Sequence, residues 1–243
     1  MQNIYAGVAE PTINSSEPNE VIQHVVTIKS IENVTHDVVC IQTDKPLNYT
    51  FSPGQATEVS INKPGWQNEK RSFTFTSLPD DEKLEFTIKV YAAHNGVTNQ
   101  LLQLKKDDEL ILSDVFGTIT YSGEGIFIAG GAGVTPFISI FKQLHGTNNI
   151  SSSKLICANK TKADIILEEY FSELLGSNFI NILSGQISED YEYGYISEEF
   201  LLKHISNFNQ KFYLCGPEPM MEAVEKQLIN LQVSQHSIIK EQF

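Results

Sequence analysis

Three short segments of this 243-residue chain carry residue types that could do chemistry. The first is Gly130-Gly131-Ala132-Gly133-Val134-Thr135-Pro136, directly after the apolar run Ile126–Ala129. Glycines there let the backbone turn tightly and approach a ligand. A helix starting behind them offers free N–H groups and a positive dipole end to a phosphate. Pro136 replaces the last Gly of the common dinucleotide fingerprint, so the segment is either a variant of that loop or a ligand-free strand–helix turn. The second segment is Cys215-Gly216-Pro217-Glu218-Pro219-Met220, at the end of the apolar run Lys211–Leu214. In an open α/β sheet ligands gather at the strands' carboxyl ends, where an exposed thiol can touch a bound ring. The alternative is a buried Cys before a turn. The third is Arg71-Ser72-Phe73-Thr74, which holds the only Arg of the chain beside 16 Lys. A guanidinium can clasp a pyrophosphate with two parallel hydrogen bonds, and Phe73 can lie on a planar ring. The alternative is a surface Arg next to core residues.

Composition narrows the partners. The 17 Lys and Arg against 30 Asp and Glu give a formal charge of −13, which argues against broad binding to nucleic acid or anionic membrane. Cys40, Cys157 and Cys215 lie far apart with no Cys-x-x-Cys pair, so no metal site is expected and no iron–sulfur cluster held by four thiolates is possible. The sparse, odd count fits a reducing compartment, and a cytoplasmic location is expected. No Lys or Arg precedes Lys29, so no signal peptide is expected. The longest uncharged stretch, Gly125–Phe141, is too short and too broken by Gly and Pro to span a bilayer.

The elements that must position the three segments divide the chain. Residues 1–20 read as a polar, mobile arm. From 21 to 122 the pattern is of short strands: around Val25–Ile28, Val38–Ile41, Thr57–Ile61, Ser72–Thr76, Leu84–Tyr91, Glu109–Leu112 and Thr118–Tyr121. Turn signals such as Pro53-Gly54 and Lys63-Pro64-Gly65 separate them, and one helix is expected at Val97–Leu104. Strands at this spacing predict an antiparallel barrel or sandwich, and the chain is read as a barrel. From 123 to 243 strand and helix alternate, which predicts a doubly wound parallel sheet. Thr135 is placed to cap the first helix there, with Pro136 at its first position and Gly146 just past its end. A second helix is expected from about Asp164 to Leu175. Strands follow at Phe179–Leu183, Lys211–Leu214 and Ser237–Lys240, with helices at Glu198–His204 and from near Pro217.

In order and spacing the segments together resemble the ferredoxin–NADP reductase superfamily over residues of about 21–243. Phe51-Ser52-Pro53-Gly54-Gln55 resembles its F-x-P-G-Q turn. Arg71 to Thr74 resembles R-x-[YF]-[ST], and Gly96-Val97-Thr98-Asn99 resembles the phosphate-binding turn that opens the barrel's helix. Gly130 to Pro136 resembles the nucleotide loop, Cys215 to Met220 resembles C-G-P-x-x-M, and Glu241-Gln242-Phe243 resembles the closing E-x-[YF]. The resemblance implies a flavin-binding barrel and a nicotinamide-nucleotide domain. It implies that Arg71 binds flavin phosphate, with Ser72 beside it. It further implies that Phe73 packs on the flavin, Thr74 bonds near flavin N5, and Phe243 stacks on the ring. Lys89, Val90, Tyr91, Gly96, Val97 and Thr98 would complete the flavin site. Gly131, Gly133, Thr135 and Pro136 would face the coenzyme with Gly216, Pro217 and Met220. Cys215 and Glu241 would stand at the reacting atoms.

FAD is expected over FMN, with NADPH or NADH as donor. Lys160 and Lys162 either neutralise a 2′-phosphate or are solvated residues at a helix start close to Asp164, and the reading leans slightly to NADPH. The implied activity is an NAD(P)H-dependent flavoprotein reductase, a monomer passing single electrons to flavodoxin or ferredoxin. The alternatives are an oxygenase's reductase component or a non-catalytic subunit of an electron-transfer complex. The acidic charge weakens docking to an acidic carrier, unless Lys63, Lys70 and Lys89 form a local basic face.

Overall fold

The computed structural model describes residues 23–91, 96–117 and 119–241. The expected arm at 1–20, Asn95, Thr118, Gln242 and Phe243 lie outside these residues.

Six antiparallel strands form the first unit: β1 (His24–Asn33), β2 (Val38–Asp44), β3 (Ala56–Ile61), β4 (Arg71–Thr74), β5 (Lys83–Lys89) and β6 (Glu109–Phe116). Their order is β4-β3-β6-β1-β2-β5. The two edges come together where the Thr76 N–H donates to the Glu85 carbonyl at 2.8 Å, closing the sheet on itself. Alternation drives this shape. Val26, Ile28, Ile41, Leu84, Phe86, Leu110 and Leu112 are buried together in one core, and most of the residues between them, such as Thr27, Gln42, Lys83, Glu85 and Glu109, are less buried. Phe51 stacks on Phe75 at 4.1 Å inside the barrel. Each such side chain contributes roughly 1.5–3 kcal/mol by leaving water. Helix α1 is shorter than expected, Val97–Leu101, with Val97 and Leu101 buried.

The expected strand at Thr118–Tyr121 is not formed over 119–121. Its apolar alternation has another cause. Ile119 is buried in the core of the second unit, and Tyr121 stacks on Tyr213 at 6.4 Å. The segment is a packed connection, pinned by the Tyr213 hydroxyl, which donates to Gly123 O at 2.7 Å.

The second unit is a parallel sheet of order β10-β9-β8-β7-β11-β12. Its strands are β7 (Gly125–Gly130), β8 (Lys154–Asn159), β9 (Phe179–Leu183), β10 (Glu192–Tyr193), β11 (Lys211–Cys215) and β12 (Ile238–Lys240). The helices are α2 (Thr135–Gly146), α3 (Glu168–Leu175), α4 (Glu198–His204) and α5 (Glu218–Asn230). All six residues of β7 are buried, as befits a central strand covered on both faces. Two helix starts differ from expectation. Thr135 does not cap α2. A 3-10 turn at Gly131–Val134 precedes the helix, and the Thr135 hydroxyl is used elsewhere. The helix expected from Asp164 begins at Glu168, because Asp164 closes a 3-10 turn instead. Its Oδ2 accepts from Thr161 N at 2.8 Å and from Thr161 Oγ1 at 2.7 Å.

Candidate functional site

The chain leaves β7 for β8 on one side of the sheet and later returns to place β11 on the other side of β7. That reversal opens a crevice at the carboxyl ends of β7 and β11, where Cys215 is in register with Ala129. Both Gly-containing segments therefore meet in space. A Cβ on Gly133 would overlap the Cys215 carbonyl and the Gly216 Cα, and one on Gly216 would lie 2.9 Å from Gly130 N. Gly130 in turn faces Met220 and Pro217. Gly133 and Gly216 are fixed by backbone crossing backbone, and Gly130 by the side chains over it. Gly131 differs: its φ is +52°, and nothing lies within 4 Å of where its Cβ would be. The outer face of the loop is thus bare backbone turned to open space at a helix start, which suits a phosphate.

The barrel presents β4 to this crevice. Thr74 Oγ1 donates to Thr135 Oγ1 at 2.7 Å, joining the third sequence segment to the first. Phe73 is partly buried against the barrel core, and Ser72 and Arg71 are exposed. The Arg71 guanidinium donates to the neighbouring Lys70 carbonyl at 2.6 Å, which leaves most of its donor fork to solvent. Gly96 and Thr98 are half-buried beside the buried Val97 at the start of α1. Val90 is buried and Tyr91 exposed.

Glu241 lies where the two units touch, with Oε1 3.2 Å from the Cβ position of Gly117. It is 4% exposed, and neither carboxylate oxygen has a hydrogen-bond partner among the described residues. Burial raises its carboxyl above the ordinary value. Burial, with the Glu241 charge adding to it, pushes the Cys215 thiol up to about 12. Cys215 is 5% exposed, so the exposed-thiol reading is corrected: it is a neutral, packed thiol at the crevice floor. A buried, unsatisfied carboxylate beside Gly117 and the Cys215 thiol fits a polar ring or amide placed there better than it fits a solid core. The residues present thus fit the flavin and the nicotinamide coenzyme that the resemblance implies.

The lysines are mostly occupied. Lys63 pairs with Asp108 at 2.9 Å, Lys70 with Glu58 at 3.0 Å and Lys89 with Asp37 at 2.7 Å, so the local exception these lysines offered to the acidic charge is largely neutralised. Lys162 lies over the Tyr191 ring at 5.6 Å, whereas Lys160 is exposed at the end of β8. His36, Asp37 and Asp164 gather potential ligand atoms within 4.8 Å of one another across the two units. Lys89 and Thr161 already engage both carboxylates.

Sequence reasoning missed two site-supporting residues, Ser139 and Lys142. The Gly54 N–H donates to Ser139 Oγ at 3.0 Å, and Lys142 Nζ donates to Thr76 O at 2.8 Å and Glu85 Oε1 at 2.9 Å. With Thr135 they recur at i, i+4 and i+7 on α2, a helical spacing that would have flagged a polar face.

A closed antiparallel barrel set against the carboxyl-end crevice of a doubly wound parallel sheet is the two-domain architecture of the ferredoxin–NADP reductase superfamily. The chain belongs to it: residues 23–166 match the FAD-binding domain family, and residues 127–226 match the oxidoreductase NAD-binding domain. Among curated relatives, the reductase component of propane 2-monooxygenase from Mycolicibacterium goodii is 29% identical over 225 residues, covering 83% of this chain and 62% of that protein. This chain therefore spans somewhat less than two thirds of that relative. The FAD/NAD-binding domain of nitric oxide dioxygenase from Vibrio cholerae O1 biovar El Tor superposes with a TM-score of 0.80 at 20% identity, covering 90% of this chain and 98% of that one. A ferredoxin NADP+ reductase from Neisseria gonorrhoeae with bound FAD and NADP gives a TM-score of 0.78 at 17% identity, covering 90% and 98%. At these identities the two structures establish the fold alone.

Proposed function

We propose that the chain is the flavin-dependent reductase module of an oxygenase system. In this reading residues 21–122 hold FAD, residues 123–243 hold NAD(P)H, and electrons pass on to an oxygenase component. The observation that carries it is the direct Thr74–Thr135 hydrogen bond, which puts the strand end suited to a flavin against the loop suited to a nicotinamide nucleotide. FAD held there would supply two-electron chemistry towards NAD(P)H and one-electron chemistry towards an acceptor, which a nicotinamide alone does not support. The chain's own residues do the placing. Arg71 offers its free guanidinium fork to the flavin's phosphates, and Phe73 gives the ring a surface. The amides of Gly131–Thr135 bind the coenzyme's pyrophosphate. Cys215 would stand beside the reactive carbon of the nicotinamide, and Glu241 would tune the charge there or hold the nicotinamide. The closing aromatic, Phe243, is assigned to the flavin face by the sequence resemblance.

The flavodoxin or ferredoxin acceptor expected first gives way to the alternative. The propane monooxygenase relative is named as an oxygenase's reductase component, and the three lysines that would greet an acidic carrier are ion-paired. With Lys162 engaged by Tyr191, the case for NADPH rests on Lys160 alone. Lys160→Ala is therefore expected to raise the KM for NADPH severalfold and leave that for NADH unchanged.

The test is anaerobic mixing of FAD-loaded protein with NADH and, separately, NADPH. Bleaching of the flavin absorbance at a rate that saturates with coenzyme is expected. A flavin that binds but keeps its oxidised spectrum with both coenzymes would overturn the reading.

A further inference from the structure

We propose that Ser139 and Lys142 are positioning residues for hydride transfer. With Thr135 they form a polar stripe on α2 that locks the barrel to the nucleotide domain at one rotation. The inference rests on the reductase reading above.

The stripe is unusual for its surroundings. Helix α2 is otherwise apolar where it is covered: Phe137, Ile138, Ile140 and Phe141 are all fully buried. Apolar contact of this kind is non-directional, so it presses two domains together without fixing how they are turned. Hydrogen bonds are directional, and the stripe supplies them at three levels. Thr135 meets Thr74, Ser139 meets the Gly54 N–H, and Lys142 meets the Thr76 carbonyl and the Glu85 carboxylate. Seven residues of helix separate the first contact from the last, a lever of about 10 Å.

The partners on the barrel side are the ones a flavin site needs held still. Thr74 meets α2 through its hydroxyl and Thr76 through its carbonyl, while Phe75 between them is fully buried in the barrel core. Gly54 belongs to the turn before β3. Ser139 is fully buried, and burying a hydroxyl is costly unless it is bonded. Its second contact, to Pro136 O at 3.4 Å, is long, so the Gly54 amide is its main partner. Glu85 is built to receive Lys142. It also accepts from Gln42 at 3.2 Å and Thr76 at 2.9 Å, which fixes the carboxylate before the ammonium arrives. Reactive geometry tolerates little error, since a shift of about 1 Å at the reacting atoms can cost about 100-fold in rate.

The experiment is single-turnover flavin reduction by saturating NADH and NADPH, with flavin affinity and apparent coenzyme affinity measured on the same samples. The proteins are wild type, Ser139→Ala, Lys142→Met, Lys142→Arg, and the double variant Lys142→Met/Glu85→Gln, which leaves no unpaired carboxylate. Lys142→Met and the double variant are expected to lower the limiting rate about 10-fold or more. Both affinities should stay within about 3-fold. Ser139→Ala should lower the rate about 3-fold, and Lys142→Arg should recover most of the wild-type rate. A purely structural role predicts the reverse: less folded, flavin-loaded protein, but an unchanged limiting rate per bound flavin. That result overturns the proposal. If the Lys142 variants do not fold, an unchanged limiting rate in Ser139→Ala overturns it and the 3-fold loss sustains it. Wild-type protein that binds FAD but is reduced by neither coenzyme refutes the reductase reading instead, and so separates the two failures.

Discussion

The crossing of the Gly130–Gly133 loop with Cys215–Gly216 and the strand Arg71–Thr74 flank the same crevice and are built in opposite ways. At the crossing, backbone packs on backbone, and the residue types are set by the lack of room for a Cβ. On the strand, side chains stand exposed or half-buried, and the only guanidinium of the chain keeps most of its donors free. One region shows its purpose through what it cannot accommodate. The other shows it through what it leaves unsatisfied. Mutations should therefore damage the first through folding and the second through binding.

The largest effect is expected at Gly133. Gly133→Ala drives a methyl into the Cys215 carbonyl, with backbone on both sides and no flexible side chain to yield. A loss of about 3 kcal/mol or more of stability is expected, read by urea denaturation. Gly131→Ala, two residues away, meets no neighbour and pays only for its positive φ, so about 1–2 kcal/mol is expected there. Equal costs at the two sites would break the distinction within the loop.

Arg71→Ala should do the reverse. Apoprotein stability should stay within about 0.5 kcal/mol, as for other exposed sites. Flavin binding should weaken by about 2–4 kcal/mol, the range for removing one partner of a desolvated charge pair. Titration of FAD onto stripped protein measures it, and unchanged affinity would remove Arg71 from the site.

Glu241 and Glu85 sharpen the comparison through pH. Burial raises the Glu241 carboxyl above its ordinary 4.5, so its ionisation costs stability as pH rises from about that value through the folded-state value. Glu241→Gln should therefore match wild type at pH 4 and exceed it by about 1 kcal/mol at pH 8 in the absence of ligand. Burial also acts on Glu85, but the Lys142 charge and hydrogen bonds from Lys142, Gln42 and Thr76 outweigh it and hold the carboxyl below its ordinary 4.5. Its contribution is present above that value and is lost as pH falls through the folded-state value, so Glu85→Gln should cost stability at pH 7 and little at pH 3. The two variants should thus diverge in sign at neutral pH.

The smallest effect concerns the thiols. Burial, with the Glu85 charge adding to it, pushes Cys40 up to about 12, Cys215 also reaches about 12, and burial raises Cys157 as well. Native protein at pH 8 should react slowly with a thiol reagent and show all three cysteines only in denaturant.

Much of this arrangement was legible in the sequence. Strand spacing predicts a barrel or sandwich and strand–helix alternation predicts a parallel sheet, because both follow from local burial patterns. The two Gly-containing segments could be recognised because a crossing of backbones restricts residue type strongly. The polar face of α2 was legible from its spacing but its partner was not, since Ser139 and Lys142 on a helix look the same whether they face water or another domain. The strand expected at Thr118–Tyr121 failed because alternation reports burial and not a partner ladder, and Ile119 is buried by the second unit. Likewise Asp164 reads equally well as the start of α3 or as the cap of the turn before it. The buried state of Glu241 depends on its packing beside Gly117, far away in sequence.

Amide hydrogen exchange, followed first with FAD added and then with NADP+ or NAD+ as well, tests the central claim most directly: two adjoining regions serve two different ligands. FAD alone should slow exchange at Arg71–Thr74 and Gly96–Thr98 and leave Gly131–Thr135 as it was. The nicotinamide coenzyme should then slow Gly131–Thr135 and the segment from Gly216 to Met220. Protection by FAD at Gly131–Thr135 with none at Arg71–Thr74, or one set of amides answering to both ligands, would contradict the account.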